Sequence, residues 1–309
     1  MTHDRSRPLW KTLTAFAIIY FVWGSTFFAI RVGVEHVPPF LLAAMRFFLA
    51  GLVLVAWTAI RREPAPRRRE WPSILLLAAM IFVMDYGLLF WAEQRVPSGV
   101  AAVVLATIPA FMALAEILML RTQRLTLRLA LALLIGIAGV AVLTVRSLSL
   151  GGAPVDAIGA GALILAAISW SVASVMTRLL PLPASKVMSS GTQMLAGGIM
   201  LTVLAEASGE FQHFHPASVT LGAWMALLYL TVFGSIIGFT AYLWLIHHES
   251  PTKVGTYAYV NPLVAVVVGY FWGAEPLGLR TILGTACVLI SVIVITTARK
   301  QPMPVNSKS

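Results

Sequence analysis

Apolar positions along this chain are gathered into long unbroken runs rather than spread at intervals that would give one dry and one wet face. Uncharged or nearly uncharged stretches cover 12–30, 39–60, 72–92, 97–120, 129–145, 157–177, 187–205, 219–246, 254–274 and 281–298. Most have about the length a bilayer-crossing helix requires. In hydrocarbon the backbone must satisfy its own hydrogen bonds, so the choice lies between helices and a closed barrel. A barrel needs segments of about ten residues in strict alternation, and that pattern is absent from the sequence. The runs therefore predict an all-α membrane protein with ten transmembrane helices. Composition agrees: 59% of the 309 residues are hydrophobic and only 11% charged, more apolar surface than a soluble core of this length buries. Arg5, Arg7 and Lys11 precede the first run, but its apolar length exceeds the ~7–15 residues of a secretory signal, which makes it a retained span. The single cysteine, Cys287, lies in the tenth run as a small core side chain and leaves no partner for an internal disulfide.

The ten runs fall into two sets of five bearing the same landmarks. Trp23 and Arg31 stand eight apart in the first run, as Trp170 and Arg178 do in the sixth; Pro97 and Pro109 frame the fourth as Pro251 and Pro262 frame the ninth. Five crossings is an odd number, so the second set enters the membrane in the opposite sense. The predicted architecture is two inverted five-helix repeats, residues 1–150 and 151–300, followed by a disordered cytoplasmic tail at 301–309. Inverted repeats are a usual scaffold for alternating access to a central site.

Charge refines the orientation. The net charge of +10 does not lie on one folded face as nucleic-acid binding requires. Of the 22 Lys and Arg residues, Arg46 lies within a run and Arg31, Arg95, Arg146 and Arg280 fall on one side; the rest fall on the side of the N-terminus. The positive-inside rule then places both termini in the cytoplasm. Loops are short, so function resides in the bundle. The outer loop carries Glu206, Glu210, His213 and His215; without a rigid second pair of ligands it reads as a solvated loop and no metal site is expected. His247 and His248 are adjacent and cannot share a helix face, and no phosphate-cradling glycine loop occurs. No enzyme, cofactor or direct use of ATP is expected, and no obligate protein partner is evident.

Small residues mark close helix approaches: Ala132 with Gly136 and Gly139, Gly159 with Gly161, and Gly197 with Gly198. The fifth and tenth runs, free of charge and poor in aromatics, read as support. Pro109 and Pro262 lie near the middle of their runs, where a missing N–H kinks a helix and bares a carbonyl; they are the candidate hinges. Polar-aromatic stripes supply the candidate substrate contacts: Trp23 and Thr26 with Phe27, Tyr86 with Phe90, Trp170 with Ser174 and Thr177, Gln193 with Ser189, Tyr242 with Ser235 and Phe239, and Tyr257 with Asn261 one turn on. Such a mixture suits a small amphipathic solute better than an ion. Tyr259 points to a neighbouring face, and Trp10 and Trp71 belong to the interfacial belt. Three charges are deep, Arg46, Asp85 and Glu116, and intramembrane charges are functional candidates. Arg46 and Asp85 both fall roughly 10–12 Å inside the outer boundary at a rise of about 1.5 Å per residue. That common depth allows an ion pair pinning spans two and three, or a role for Asp85 as proton carrier or amine contact.

Trp23-Gly-Ser-Thr-Phe-Phe, Met45-Arg46-Phe47-Phe48, Asn261-Pro262 and Gly273-Ala274-Glu275-Pro276-Leu277 together resemble the EamA branch of the drug/metabolite transporter superfamily, over residues 12–298. The aromatic interior is similar to the aromatic amino acid exporters of the YddG group. The resemblance implies a basket-like bundle with a central cavity, lined by spans 1, 3, 4, 6, 8 and 9, and export of metabolites across the bacterial inner membrane. Arg46 matches the span-two arginine of such chains and Glu275 the acid after span nine; the first half has Arg121-Thr122-Gln123-Arg124 instead. The function expected is a secondary exporter of amino acids, including aromatic and other apolar ones, with the lipid bilayer its only surroundings. The alternatives are a multidrug or nucleoside-type exporter on the same scaffold and, from another class, a membrane receptor or embedded enzyme.

Overall fold

The computed structural model describes residues 9–95, 101, 104–122, 124–148, 156–264 and 279–297. Pro97, the Gly273–Leu277 motif with Glu275, and the tail at 301–309 lie outside them. The described residues form helices and no strands. Six helices are long and apolar enough to cross a membrane: α1 (Leu9–Val34), α2 (Pro39–Ile60), α3 (Arg68–Glu93), α6 (Ala157–Met176), α7 (Lys186–Ala207) and α8 (Leu221–His248). Between and after them lie α4 (Ile108–Leu120), α5 (Leu127–Leu148), α9 (Pro251–Gly255, continuing over 257–264) and α10 (Leu279–Thr297).

Two compact units make up the chain, Met1–Val83 with Pro181–Glu249 and Met84–Leu180 with Ser250–Ser309. In the first unit α2 packs along α7, while α1 packs against α8. Glycine sets the α2–α7 contact. A Cβ on Gly51 would overlap the Leu195 backbone, and one on Gly198 would lie 2.5 Å from Phe48 N. Without side chains at these points the two backbones approach directly, which is how helices associate where lipid gives little hydrophobic drive. Gly197 has Phe82 over it in the same way.

In the second unit α5 pairs with α10, and α6 packs against α4 and the end of α3. The expected small-residue face of α5 is present: a Cβ on Gly136 would strike Tyr259 and Ser291, and one on Gly139 would strike Cys287 and Val288. Ser291 Oγ donates to Ala132 O at 2.6 Å, and Tyr259 Oη to Leu133 O at 3.1 Å. The reading of Gly161 is corrected: nothing lies within 4 Å of its missing Cβ and it is exposed, whereas Gly159 is buried. On α6 the two glycines stand two positions apart, so they point to different faces.

Helix starts follow local chemistry. Ser185 Oγ accepts Met188 N–H in α7, Ser250 Oγ accepts Lys253 N–H in α9 ahead of Pro251, and Asp156 accepts Ile158 N–H in α6. Helix α2 begins Pro38-Pro39 and has no capping side chain of its own. Glu210 supplies one from the loop after α7, accepting Phe40 N–H at 3.2 Å and Leu41 N–H at 2.8 Å. The loop read as solvated thus holds a structural carboxylate.

Three stretches are π-helical: Ala79–Gly87 within α3, Leu230–Ile237 within α8 and Glu116–Leu120 closing α4. Turns of this width are rare and cluster at functional sites. Nothing in the sequence reading anticipated them.

Candidate functional site

Among the described side chains, the candidates named from sequence are buried, with Trp23, Thr26, Arg46, Gln193 and Tyr242 in the first unit and Asp85, Tyr86, Glu116, Trp170, Ser174, Tyr257 and Asn261 in the second.

The first unit builds an aromatic stack around the widened turn of α8. Trp23 Nε1 donates to Gly234 O at 2.9 Å, occupying a carbonyl of the π-helical stretch. Its ring lies 5.2 Å from that of Tyr242, and the sequence of contacts continues through Phe239 and Phe82 to Phe47. The Arg46 guanidinium sits 4.7 Å above the Phe47 ring and donates from Nε to Ser235 Oγ at 2.8 Å. Gly234 makes room for this: a Cβ there would lie 2.9 Å from Arg46 Nη2 and 3.0 Å from Thr26 Cγ2. Thr26 donates its hydroxyl hydrogen to Trp23 O at 2.7 Å. Arg46 and Asp85 belong to different units, and the hydroxyl of Ser235 is one group placed against Arg46. Gln193 donates from Nε2 to Ser189 Oγ at 2.9 Å, and its buried Oε1 accepts no hydrogen bond among the described residues.

In the second unit three aromatic rings from three helices meet edge to face. Trp170 of α6 stands 5.9 Å from Tyr86 of α3 at 83° and 6.4 Å from Tyr257 of α9 at 75°. Phe90 extends the set from Tyr86. Such tilted contacts are the favoured geometry of aromatic pairs. Asn261 follows Tyr257 by one helical turn, and its Oδ1 is buried without a donor among the described residues. The hydroxyl of Ser174 donates back to Trp170 O at 2.6 Å, so its hydrogen is committed to its own helix. Asp85 lies beside Tyr86 in the π-helical stretch of α3, is 5% exposed, and makes no hydrogen bond or ion pair among the described residues.

Glu116 has a different environment from the one expected of a substrate contact. Its carboxylate accepts Thr252 N–H at 3.2 Å, Thr252 Oγ1–H at 2.8 Å and Thr122 Oγ1–H at 3.0 Å. It therefore caps the first turn of α9 from the end of α4, where a negative charge meets the helix dipole favourably. The signal was present as Ser250-Pro251-Thr252, a helix start in need of acceptors, and as a deep acid in need of donors.

The two prolines are not equivalent. The helix around α4 is interrupted at Ala106 and Thr107, so Pro109 falls in the first turn of a new segment, where its missing N–H is no loss. The expectation that it kinks a continuous helix is corrected to a break just before it. Pro262 lies inside the 257–264 segment. The start of α9 presses on Pro109: a Cβ on Gly255 would lie 3.3 Å from Pro109 Cα and 2.7 Å from Met112 Sδ.

Comparison with known proteins decides the class. The model described as the EamA-like transporter family matches twice, over residues 10–145 and 157–297. This chain belongs to the EamA-like transporter family. It is 35% identical to the uncharacterized inner membrane transporter YedA of Escherichia coli (strain K12), over 96% of this chain and 94% of that protein. It is also 27% identical to the protein PecM of Dickeya dadantii, over 92% of this chain and 94% of PecM. A solved crystal structure aligns at a TM-score of 0.76 with 22% identity, covering 93% of this chain and 98% of its own, and shows the same fold. As an EamA-like protein, the chain is a multi-pass membrane protein of a transporter family.

Proposed function

We propose that this EamA-like protein is a secondary exporter of amino acids, aromatic and other apolar ones included, working by alternating access. The observation that carries the reading is the edge-to-face set Tyr86–Trp170–Tyr257 with the Asn261 amide one turn away. Its aromatic surfaces suit an apolar side chain, and its polar atoms suit the backbone end of an amino acid.

The proposed scaffold is ten spans in two inverted halves, with both termini in the cytoplasm of a bacterial cell and the chain in its inner membrane. Three observations support the duplication. The family model matches once in each half. The π-helical stretches at Ala79–Gly87 and Leu230–Ile237 come in the third helix of each half. The second helix of one half packs on the second of the other, α2 on α7, and likewise the fifth on the fifth, α5 on α10. In this scheme the break before Pro109 and the proline at 262 are where the fourth and ninth helices bend.

Counterflow in proteoliposomes tests the reading, with labelled aromatic and aliphatic amino acids set against nucleosides and cationic drugs. Exchange of amino acids in preference to the others is expected. Movement of a drug or nucleoside with no amino acid moving transfers the assignment to a multidrug or nucleoside-type exporter.

A further inference from the structure

The connection between α2 and α3 in the first unit concentrates charge of one sign. Arg61, Arg62, Arg67, Arg68 and Arg69 fall within ten residues, and all five are exposed. The two acids of the same stretch are turned inward. Glu70 is buried and its carboxylate accepts Arg67 N–H at 2.8 Å, while Glu63 is half-buried with Oε2 shielded from solvent. Among the described residues none of the five guanidinium groups forms an ion pair. The connection therefore shows its surroundings a positive band with its acids withdrawn.

Local structure holds this band at the ends of two apolar helices. Helix α2 closes with Arg62 N–H donating to Ala59 O at 3.0 Å and Glu63 N–H to Thr58 O at 2.9 Å. Arg62 takes the left-handed conformation of that closure, φ 55°, which glycine adopts freely. An arginine there adds a charge that the turn itself does not ask for. The Arg61 guanidinium lies 5.1 Å over the Trp57 ring, and Trp57, Ile60 and Trp71 are exposed. Exposed tryptophans at the ends of spanning helices mark the headgroup level, so the arginines between Trp57 and Trp71 lie at that level. Helix α7 starts at the same end: Thr58 Oγ1 donates to Met188 Sδ at 3.7 Å, and the first residue of α7 is Lys186. Another cation joins the band.

We infer that the connection at 61–69 is a docking surface for anionic phospholipid headgroups of the leaflet it faces. Guanidinium groups pair with phosphate through two parallel N–H donors, and basic residues beside a spanning helix attract negatively charged lipid. A zwitterionic lipid has no net charge, so the band gains less from it. A soluble anion lacks the apolar portion that Trp57, Ile60 and Trp71 meet. The occupant is thus a lipid of net negative charge, and its binding steadies the facing ends of α2 and α3. This role is independent of the solute transported.

The test uses the full chain, purified in neutral detergent and mixed with phosphatidylglycerol or phosphatidylcholine. Retained lipid is read by native mass spectrometry and stability by melting temperature. Wild-type protein is expected to retain phosphatidylglycerol in preference and to melt higher with it, an effect that fades with added salt. Arg62→Gln, Arg67→Gln and Arg69→Gln combined should weaken retention by roughly a hundredfold, about fivefold for each charge removed near a membrane surface. The same three positions changed to Lys should recover part of that. Arg31→Gln removes an exposed charge of α1 that already faces Glu35 at 3.9 Å and should leave retention unchanged. Because the lipid preference is read on wild-type protein, it stands even if the glutamine variant assembles poorly. Equal retention of the two lipids, undiminished phosphatidylglycerol retention in the folded glutamine variant, or displacement of the lipid by glycerol phosphate at equal concentration would each overturn the inference.

Discussion

The α2–α7 seam of the first unit and the aromatic set of the second are built differently. Around α8 in the first unit, an indole N–H meets a carbonyl of a widened turn, a guanidinium meets a serine, and the Thr26 hydroxyl bonds back to a carbonyl of its own helix. Glycines let α2 and α7 close to backbone contact. In the second unit the rings of Tyr86, Trp170 and Tyr257 meet edge to face one turn from Asn261, whose Oδ1 has no donor among the described residues, as Gln193 Oε1 has none in the first unit. Backbone contact leaves no room for a larger side chain, whereas aromatic faces accept an apolar partner without rebuilding the helices. The α2–α7 seam is therefore expected to answer mutation with loss of assembly, and the Tyr86–Trp170–Tyr257 set with loss of transport.

The sharpest way to break that contrast is Gly198→Val. The new side chain starts 2.5 Å from Phe48 N on the facing helix, and overpacking of about 3 kcal/mol or more should abolish monodisperse folded protein by detergent size exclusion. Normal yield would show that the α2–α7 contact yields easily. Glu116→Ala comes next. It strips acceptors from Thr252 and Thr122, leaving a buried N–H at a cost of about 3 kcal/mol, visible as a lower melting temperature. In the opposite direction, Trp170→Ala should slow counterflow by roughly tenfold, about 1.4 kcal/mol, while elution and membrane insertion stay normal; an unchanged rate would clear the aromatic set of a binding role. Ser235→Ala removes the acceptor from Arg46 and should cost about 1.5 kcal/mol in thermal stability with little effect on substrate preference, and a large change in preference would erase the division between the units.

The smallest effect belongs to Glu210. Partial burial raises its carboxyl above the ordinary range, partly opposed by the two amide hydrogens of α2. A raised carboxyl pKa means the folded chain holds its proton more firmly than the unfolded one. Stability from this group is then greatest below the unfolded pKa, near 4.5, and declines as pH rises towards the folded value. Glu210→Gln should flatten that decline in thermal melts from acid to neutral pH; a profile identical to wild type would show that the loop carboxylate does not titrate with folding.

Much of this was legible because lipid imposes a coarse rule. Long apolar runs predicted the helices, and polar-aromatic stripes singled out Trp23 and Trp170, both of which are buried. The π-helical stretches were not legible: Ala79–Gly87 and Leu230–Ile237 contain no proline, and the Gly234-Ser235 pair in the second does not by itself distinguish a widened turn from an ordinary one. The break before Pro109 was misplaced because proline marks both kinks and first turns, and only the surrounding turns distinguish them. Glu116 and Glu210 were visible as acids, but their helix-capping partners lie 136 and about 170 positions away, a separation no local pattern reports.

That last separation bears on how the chain is made. The acceptor that completes the N-terminal end of α2 is synthesised only after α7, so for most of translation the first turn of α2 has open amides. The loop carrying Glu210 then finishes a helix inserted long before it. A nascent chain stopped ahead of residue 210 should show α2 frayed at Phe40 and Leu41, which makes the loop after α7 a late step in biogenesis as well as a connection between helices.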